Sequence, residues 1–202
     1  MVLVLVGVAV VIGAVLAWVN NITEKPIAEK AQQTLAAGIK EVMNSTDIKV
    51  EDPDTVKMEI QGKESIFTIH NVHTTDGAYL GSAVESTTMG FGGDLKVLVG
   101  FNAEGTILGY TILQASETPG LGAKADKWFQ KDGKGNIIGK SVAKGDLKVS
   151  KDGGDVDAIT ASTITSRAFL KAVNQAYSAY QDNHAANAKG ADGASGASVQ
   201  HN

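Results

Sequence analysis

The chain predicts an α+β domain, an antiparallel sheet with helices at its ends, preceded by one apolar membrane-spanning helix. Three observations carry this reading. Residues 1–19 are almost wholly aliphatic; apolar residues between Phe67 and Leu113 tend to alternate with polar ones; and from Phe169 onward they recur at the three-and-four spacing of a helix face. A chain of 202 residues allows one such domain plus appendages.

The elements follow in order. No charged residue appears before Glu24. Residues 1–19, at 1.5 Å rise, would cross roughly 28 Å, about the hydrocarbon thickness of a bilayer. Trp18 stands where an interfacial aromatic belongs. The competing reading is a secretory signal peptide cleaved after Ala17, but the basic leading region of such a peptide is missing. We therefore read residues 1–20 as a retained anchor in contact with membrane lipid. Lys25 and Lys30 are offset by Glu24 and Glu29, so charge does not orient the span. Residues 21–45 read as a connecting helix: Pro26 suits a first turn, and Ile27, Ala31, Leu35, Ile39 and Val42 share a face. Asn44-Ser-Thr-Asp47 ends it.

The domain proper is expected over 46–183. Phe67 and Ile69 alternate with Thr68 and His70, and Tyr79 to Val84 forms a second strand candidate. Leu95, Val97, Val99 and Phe101 alternate with Lys96, Leu98 and Gly100, the pattern of a half-buried strand. Asn102-Ala-Glu-Gly105 makes a turn, and Thr106 to Leu113 returns as its antiparallel partner. A short helix is expected over Lys124 to Lys131, with Trp128 and Phe129 as core anchors. Asp132 to Asn136 reads as a turn, Ile137-Ile138 and Leu147 to Ser150 as short strands. A last helix begins near Thr163 and shows Phe169, Ala172, Val173, Ala176, Tyr177 and Tyr180 on one face. From His184 to Asn202 the chain is rich in Ala, Gly, Ser and Asn without apolar periodicity, and we expect a disordered tail over 184–202.

Composition closes several doors. A net charge of −4 and 5% aromatic residues supply neither a basic field nor a stacking platform, so no nucleic-acid partner is expected. The absence of cysteine removes thiolate-held clusters, thiol catalysis and disulfides. His70 and His73, three apart on a strand, face opposite ways, and no metal site is expected there. Asp152-Gly-Gly-Asp155 with Asp157 lacks calcium-loop spacing and reads as a solvated turn. No phosphate-binding loop, dinucleotide fingerprint or hydrolase triad context is present, and no catalytic acid, base or nucleophile is assigned.

The informative stretch is Asp157-Ala-Ile-Thr-Ala-Ser-Thr-Ile-Thr-Ser-Arg167, a run of hydroxyl side chains directly before a helix. Such residues cap a first turn, and the free N–H groups there, backed by the helix dipole, form an anion site. Arg167 lies four residues after Thr163, where on a helix it can face the same anion. The stretch resembles the attachment motif, D-x-x-S/T-G-A-T, of FMN-binding subunits in the Rnf and Nqr membrane redox complexes. Two further segments match in the same order. Ser116-Glu-Thr-Pro-Gly-Leu-Gly122 is similar to that family's ETPGLG segment, and Met89-Gly-Phe-Gly-Gly93 resembles its GYGG turn, with Phe91 for Tyr.

The resemblance implies FMN as a covalent cofactor, its phosphate esterified to the Thr163 hydroxyl by a flavin transferase. Asp157 then corresponds to the leading acid and Thr160 to the S/T position. It further implies that Glu117, Thr118, Gly120, Leu121 and Gly122 line the flavin, while Thr160, Ser162 and the N–H groups of Ile164 and Thr165 hold the phosphate; Arg167 is expected beside it from its helical spacing. Ala161 stands where the family has Gly. A positive φ there would cost this residue about 1 kcal/mol or more. The implied activity is electron transfer in an ion-translocating membrane complex, beside its other membrane subunits, with the domain outside the cytoplasmic membrane. The likeness is greatest to the G subunit of Rnf, a ferredoxin:NAD⁺ oxidoreductase moving Na⁺ or H⁺. The alternatives are the C subunit of Nqr, an NADH:quinone oxidoreductase, and a membrane-anchored flavin sensor or binding module.

Overall fold

The computed structural model describes residues 1–60 and 62–194. Its contacts divide the chain into two compact units, Met1–Ala37 and the portion from Gly38 onward. The first unit is helical. It belongs to α1 (Val2–Val42), which is long and apolar enough to cross a membrane, with a mean hydropathy of 3.0 over its most apolar stretch. Separate anchor and connecting helices were expected, whereas α1 runs unbroken with Pro26 inside it. Asn20-Asn21 offers no glycine C-cap to stop the helix.

The second unit is built on a six-stranded antiparallel sheet: β1 (Ile48–Val50), β2 (Asp54–Ile60), β3 (Lys63–Thr74), β4 (Tyr79–Met89), β5 (Asp94–Asn102) and β6 (Ile107–Ala115). The order is β1-β3-β4-β5-β6, with β2 also on β3. β1 takes the Val72–Thr74 end of β3 and β2 the Lys63–Ile69 end. β5 was expected to be buried on one face only. Both faces are covered, because Leu98 is as inaccessible as Val97 and Val99. The last turns of α1 do this: Ile39, Val42 and Met43 are buried, and the Gly38 backbone sits over Leu98 and Thr111. The cross-strand pair Gly100 and Gly109 makes room for the Val42 backbone, since a methyl on Gly100 would meet its carbonyl oxygen at 2.5 Å.

The other face carries the main core and α3 (Thr163–Ala194). α3 begins at Thr163, where the sequence places it. Phe169 stacks on Phe129 at 4.3 Å and meets Tyr110 edge-on at 4.7 Å. The Tyr110 hydroxyl donates to the Ala125 carbonyl at 2.6 Å, and burial pushes its pKa above the ordinary tyrosine range. Thr88 donates to the Ala168 carbonyl at 2.9 Å, fixing α3 to β4.

Three expectations of the sequence are corrected between and beyond these elements. The helix at Lys124–Lys131 shrinks to a 3₁₀ turn, Gly122–Lys124, followed by α2 (Ala125–Trp128). Phe129 is fully buried as an anchor and Trp128 only partly. Neither Ile137-Ile138 nor Leu147–Ser150 forms a strand. The Ile137 N–H donates to the Phe129 carbonyl in a turn, the Asn174 side chain bonds both backbone groups of Leu147 at 3.0 Å, and Val149 makes only an isolated bridge to Val156. His184 to Ala194 continues α3 rather than starting a structureless tail, the alanines there favouring helix. The remainder of that expected tail, 195–202, lies outside the described residues.

Candidate cofactor site

Three loops converge at one end of the sheet: the β4–β5 turn Met89–Gly93, the Ser116–Gly122 segment after β6, and the Thr160–Ser162 turn into α3. Glu117 ties them together. Its Oε1 accepts from the Phe91 backbone N–H at 2.7 Å, and its Oε2 accepts from the Thr165 hydroxyl at 2.8 Å. Thr165 in turn accepts from the Ser162 hydroxyl at 2.9 Å. One carboxylate thus accepts from the β4–β5 turn and from the first turn of α3, distant in sequence, with both oxygens used.

Small residues make this approach possible. A methyl at Gly90 would run into the Glu117 carboxylate, one at Gly92 into the Ser116 carbonyl, and one at Gly122 into Glu117 and Thr165. The turn before α3 is equally constrained. Ala161 has φ +60, the left-handed conformation that disfavours a side chain. Ser162 N–H donates to the Ile159 carbonyl at 3.0 Å, and the Ser166 hydroxyl accepts from Ile159 N–H at 2.9 Å. This leaves Thr163 as the first helical residue, beside N–H groups that have no partner within the helix.

Phe91, Glu117, Thr118, Leu121, Gly122, Ala161, Ser162, Thr163 and Ile164 line a cavity of about 370 Å³. Phe91, Leu121 and Ile164 leave 67%, 39% and 54% of their surface open, an apolar wall facing solvent beside a helix N-terminus. The combination fits a planar aromatic ring joined to a phosphate: apolar sides for one, N–H groups and hydroxyls for the other.

The structure brings seven of the expected site residues to this cavity: Thr163, Ser162, Ile164, Glu117, Thr118, Leu121 and Gly122. Thr165 lies buried just behind it, through its bond to Glu117. Gly120 shapes the turn at φ +75, and Thr160 is exposed without lining the cavity. Arg167 needs correction. Its guanidinium grips Asp152 with two bonds of 2.7 and 2.6 Å, lining a different groove, so it does not join Thr163. Those bonds hold the Asp152 carboxyl below its ordinary pKa. The physical reason is competition: an acidic turn within reach supplies a fixed carboxylate for the arginine fork. Asp157 is likewise structural, accepting from the Ser150 hydroxyl at 3.1 Å while its carbonyl takes the Trp128 indole N–H at 2.8 Å. Phe91 and Ala161 were not among the expected lining residues. Phe91 was signalled only by its place in the glycine-rich turn.

Comparison with known proteins agrees with this geometry. A family model described as an FMN-binding domain matches residues 90–178. The chain is 32% identical to the G subunit of a Na⁺-translocating ferredoxin:NAD⁺ oxidoreductase complex from Acetobacterium woodii, over 89% of this chain and 90% of that protein. It is 30% identical to the G subunit of an ion-translocating oxidoreductase complex from Shewanella baltica, over 88% and 86% respectively. The crystal structure of NqrC from Shewanella oneidensis shares the fold, with a TM-score of 0.60 at 15% identity, covering 78% of this chain and 99% of that one. With near full-length likeness to these proteins and an FMN-binding domain built round the cavity, the chain belongs to the G-subunit family of Rnf-type ion-translocating oxidoreductase complexes.

Proposed function

We propose that this chain is the electron-transfer subunit of a membrane ferredoxin:NAD⁺ oxidoreductase coupled to Na⁺ or H⁺ translocation, carrying FMN esterified to Thr163. The observation that supports it best is the cavity itself, where the Thr163 hydroxyl stands at the start of a long helix beside an apolar wall. Residues 1–20 anchor the chain in the cytoplasmic membrane, and the domain over 46–183 lies on its outer side, against other membrane subunits of the complex.

When bound, the flavin supplies reversible electron uptake and release. The chain's own residues do the rest. The N–H groups of Ile164 and Thr165 would hold the phosphate, and the Ser162 hydroxyl, which donates to Thr165, would keep the turn beside it in place. Phe91, Leu121 and Ile164 shield the ring, and Glu117 keeps the loops closed round it. No residue needs to act as acid, base or nucleophile in passing an electron, so the isolated chain turns over little. Attachment is made by a flavin transferase, and a covalent link prevents loss by dilution outside the cytoplasm.

Thr163→Ala should abolish covalent flavin while leaving the fold unchanged, as read by intact mass and in-gel flavin fluorescence after expression with the transferase. Flavin still attached to that variant, or found on Thr160 or Thr165, would overturn the assignment.

A further inference from the structure

A second cavity, of about 490 Å³, opens where the starts of β2 and β4, the end of β3 and the late part of α3 meet. It is remote from the cofactor site. Tyr79 and Met89 are the two ends of β4, roughly 33 Å apart at strand rise. Thr163 and Asn183 are separated by roughly 30 Å along α3.

Its walls are acidic on one side and aromatic on the other. Asp54 Oδ2 accepts from Asn71 at 3.1 Å and Asn183 at 2.9 Å, and both amides are buried. Among the described residues no donor occupies Asp54 Oδ1. Glu51 stands 3.6 Å from His73 Nδ1, with half of its side chain open. The Tyr79 ring meets His73 edge-on at 5.5 Å and lies 6.0 Å from His184. Behind them the frame is fixed: the Ser82 hydroxyl donates to Asn71 Oδ1 at 2.7 Å and lies 2.7 Å from the Tyr79 hydroxyl. Two carboxylates face this space, and among the described residues no Lys or Arg lines it.

We propose that this cavity binds a guanidinium, held between the Glu51 and Asp54 carboxylates and the rings of Tyr79, His73 and His184. A guanidinium is planar and weakly hydrated; it stacks on aromatic faces while its N–H fork serves carboxylates, which a compact ammonium does less well. The Asn71 and Asn183 amides hold Asp54 in place beforehand, so little ordering accompanies binding. The cation is the head of an arginine side chain on a partner chain or of a small free guanidine.

The full-length chain in detergent is titrated by calorimetry with agmatine, putrescine and acetyl-Gly-Arg-Gly-amide. Agmatine should bind saturably and about tenfold more tightly than putrescine, which lacks the guanidinium, and either Glu51→Gln or Tyr79→Leu should weaken it by about tenfold. Both positions are chosen over Asp54 because Asp54 anchors two buried amides. Glu51→Gln, at a half-open surface position, keeps the test valid should Tyr79→Leu impair folding. Peptide binding alongside agmatine assigns the pocket to a partner's arginine; agmatine without peptide assigns it to a free cation. Absence of saturable binding by either probe, equal affinity for putrescine, or wild-type affinity in a folded variant would overturn the proposal.

Discussion

Ala161 holds a left-handed backbone that its methyl group disfavours, with φ +60 in the turn that delivers Thr163 to the helix start. Glycine loses that steric conflict, worth about 1 kcal/mol. Ala161→Gly should therefore raise the unfolding midpoint of the flavin-free protein by about 2–4 °C, measured by thermal denaturation. A lower midpoint would mean that the turn does not carry this strain. Arg167 teaches the opposite lesson about reading a single residue. Spacing alone put it one helical turn from Thr163, yet its two bonds go to Asp152. Arg167→Ala is expected to leave the ratio of flavin to polypeptide unchanged, and a clear drop would place its charge at the phosphate after all.

Among the elements, the adjacent strands β3, β4 and β5 share a buried ionic group on the face toward α1's last turns. Glu85 takes a hydrogen bond from His70 at 2.9 Å and an ion pair from Lys96 at 2.6 Å. Burial raises its pKa, but the bonds from His70 and Lys96 outweigh this and hold it below the ordinary value of 4.5. A carboxylate with a lowered folded-state pKa adds stability that is fully present above the unfolded value and is lost as pH falls through the folded one. Unfolding free energy should thus decline below about pH 4.5, and Glu85→Gln should flatten that decline while lowering stability at neutral pH. Parallel curves for variant and wild type in denaturant titrations from pH 3 to 7 would remove Glu85 from the account.

For the whole molecule, the consequential feature is a helix that is apolar enough to span a bilayer in the same chain as a folded domain. Washed membranes should retain the protein at high salt and release it in detergent, since about twenty apolar residues hold far more firmly than surface charge. Protease added to the outer face should degrade the domain and leave the anchor. Complete protection of the domain would reverse the proposed orientation.

Much of this architecture was legible without coordinates because its signals are local. The strand alternation at Leu95–Phe101, the capping run before Thr163, the glycine-rich turns and the apolar first helix each depend on residues a few positions apart. Four of the six strands and the start of α3 follow from them. What depended on distant partners did not follow. β2 and β1 find their pairing only on the two halves of β3, and Leu98 is buried only because α1's last turn covers it. Leu147 needs no strand because Asn174 satisfies its backbone. The motifs by themselves raised the expectation that Thr163, Glu117 and the glycine-rich turns serve one cofactor. Only the tertiary structure decided how they meet, with the two oxygens of Glu117 drawn to the β4–β5 turn and to the first turn of α3, and it directed Arg167 to another carboxylate. Patterns along a chain report what each segment can form, whereas the competition among partners for each charge and each backbone group is settled by what the folded chain places within reach.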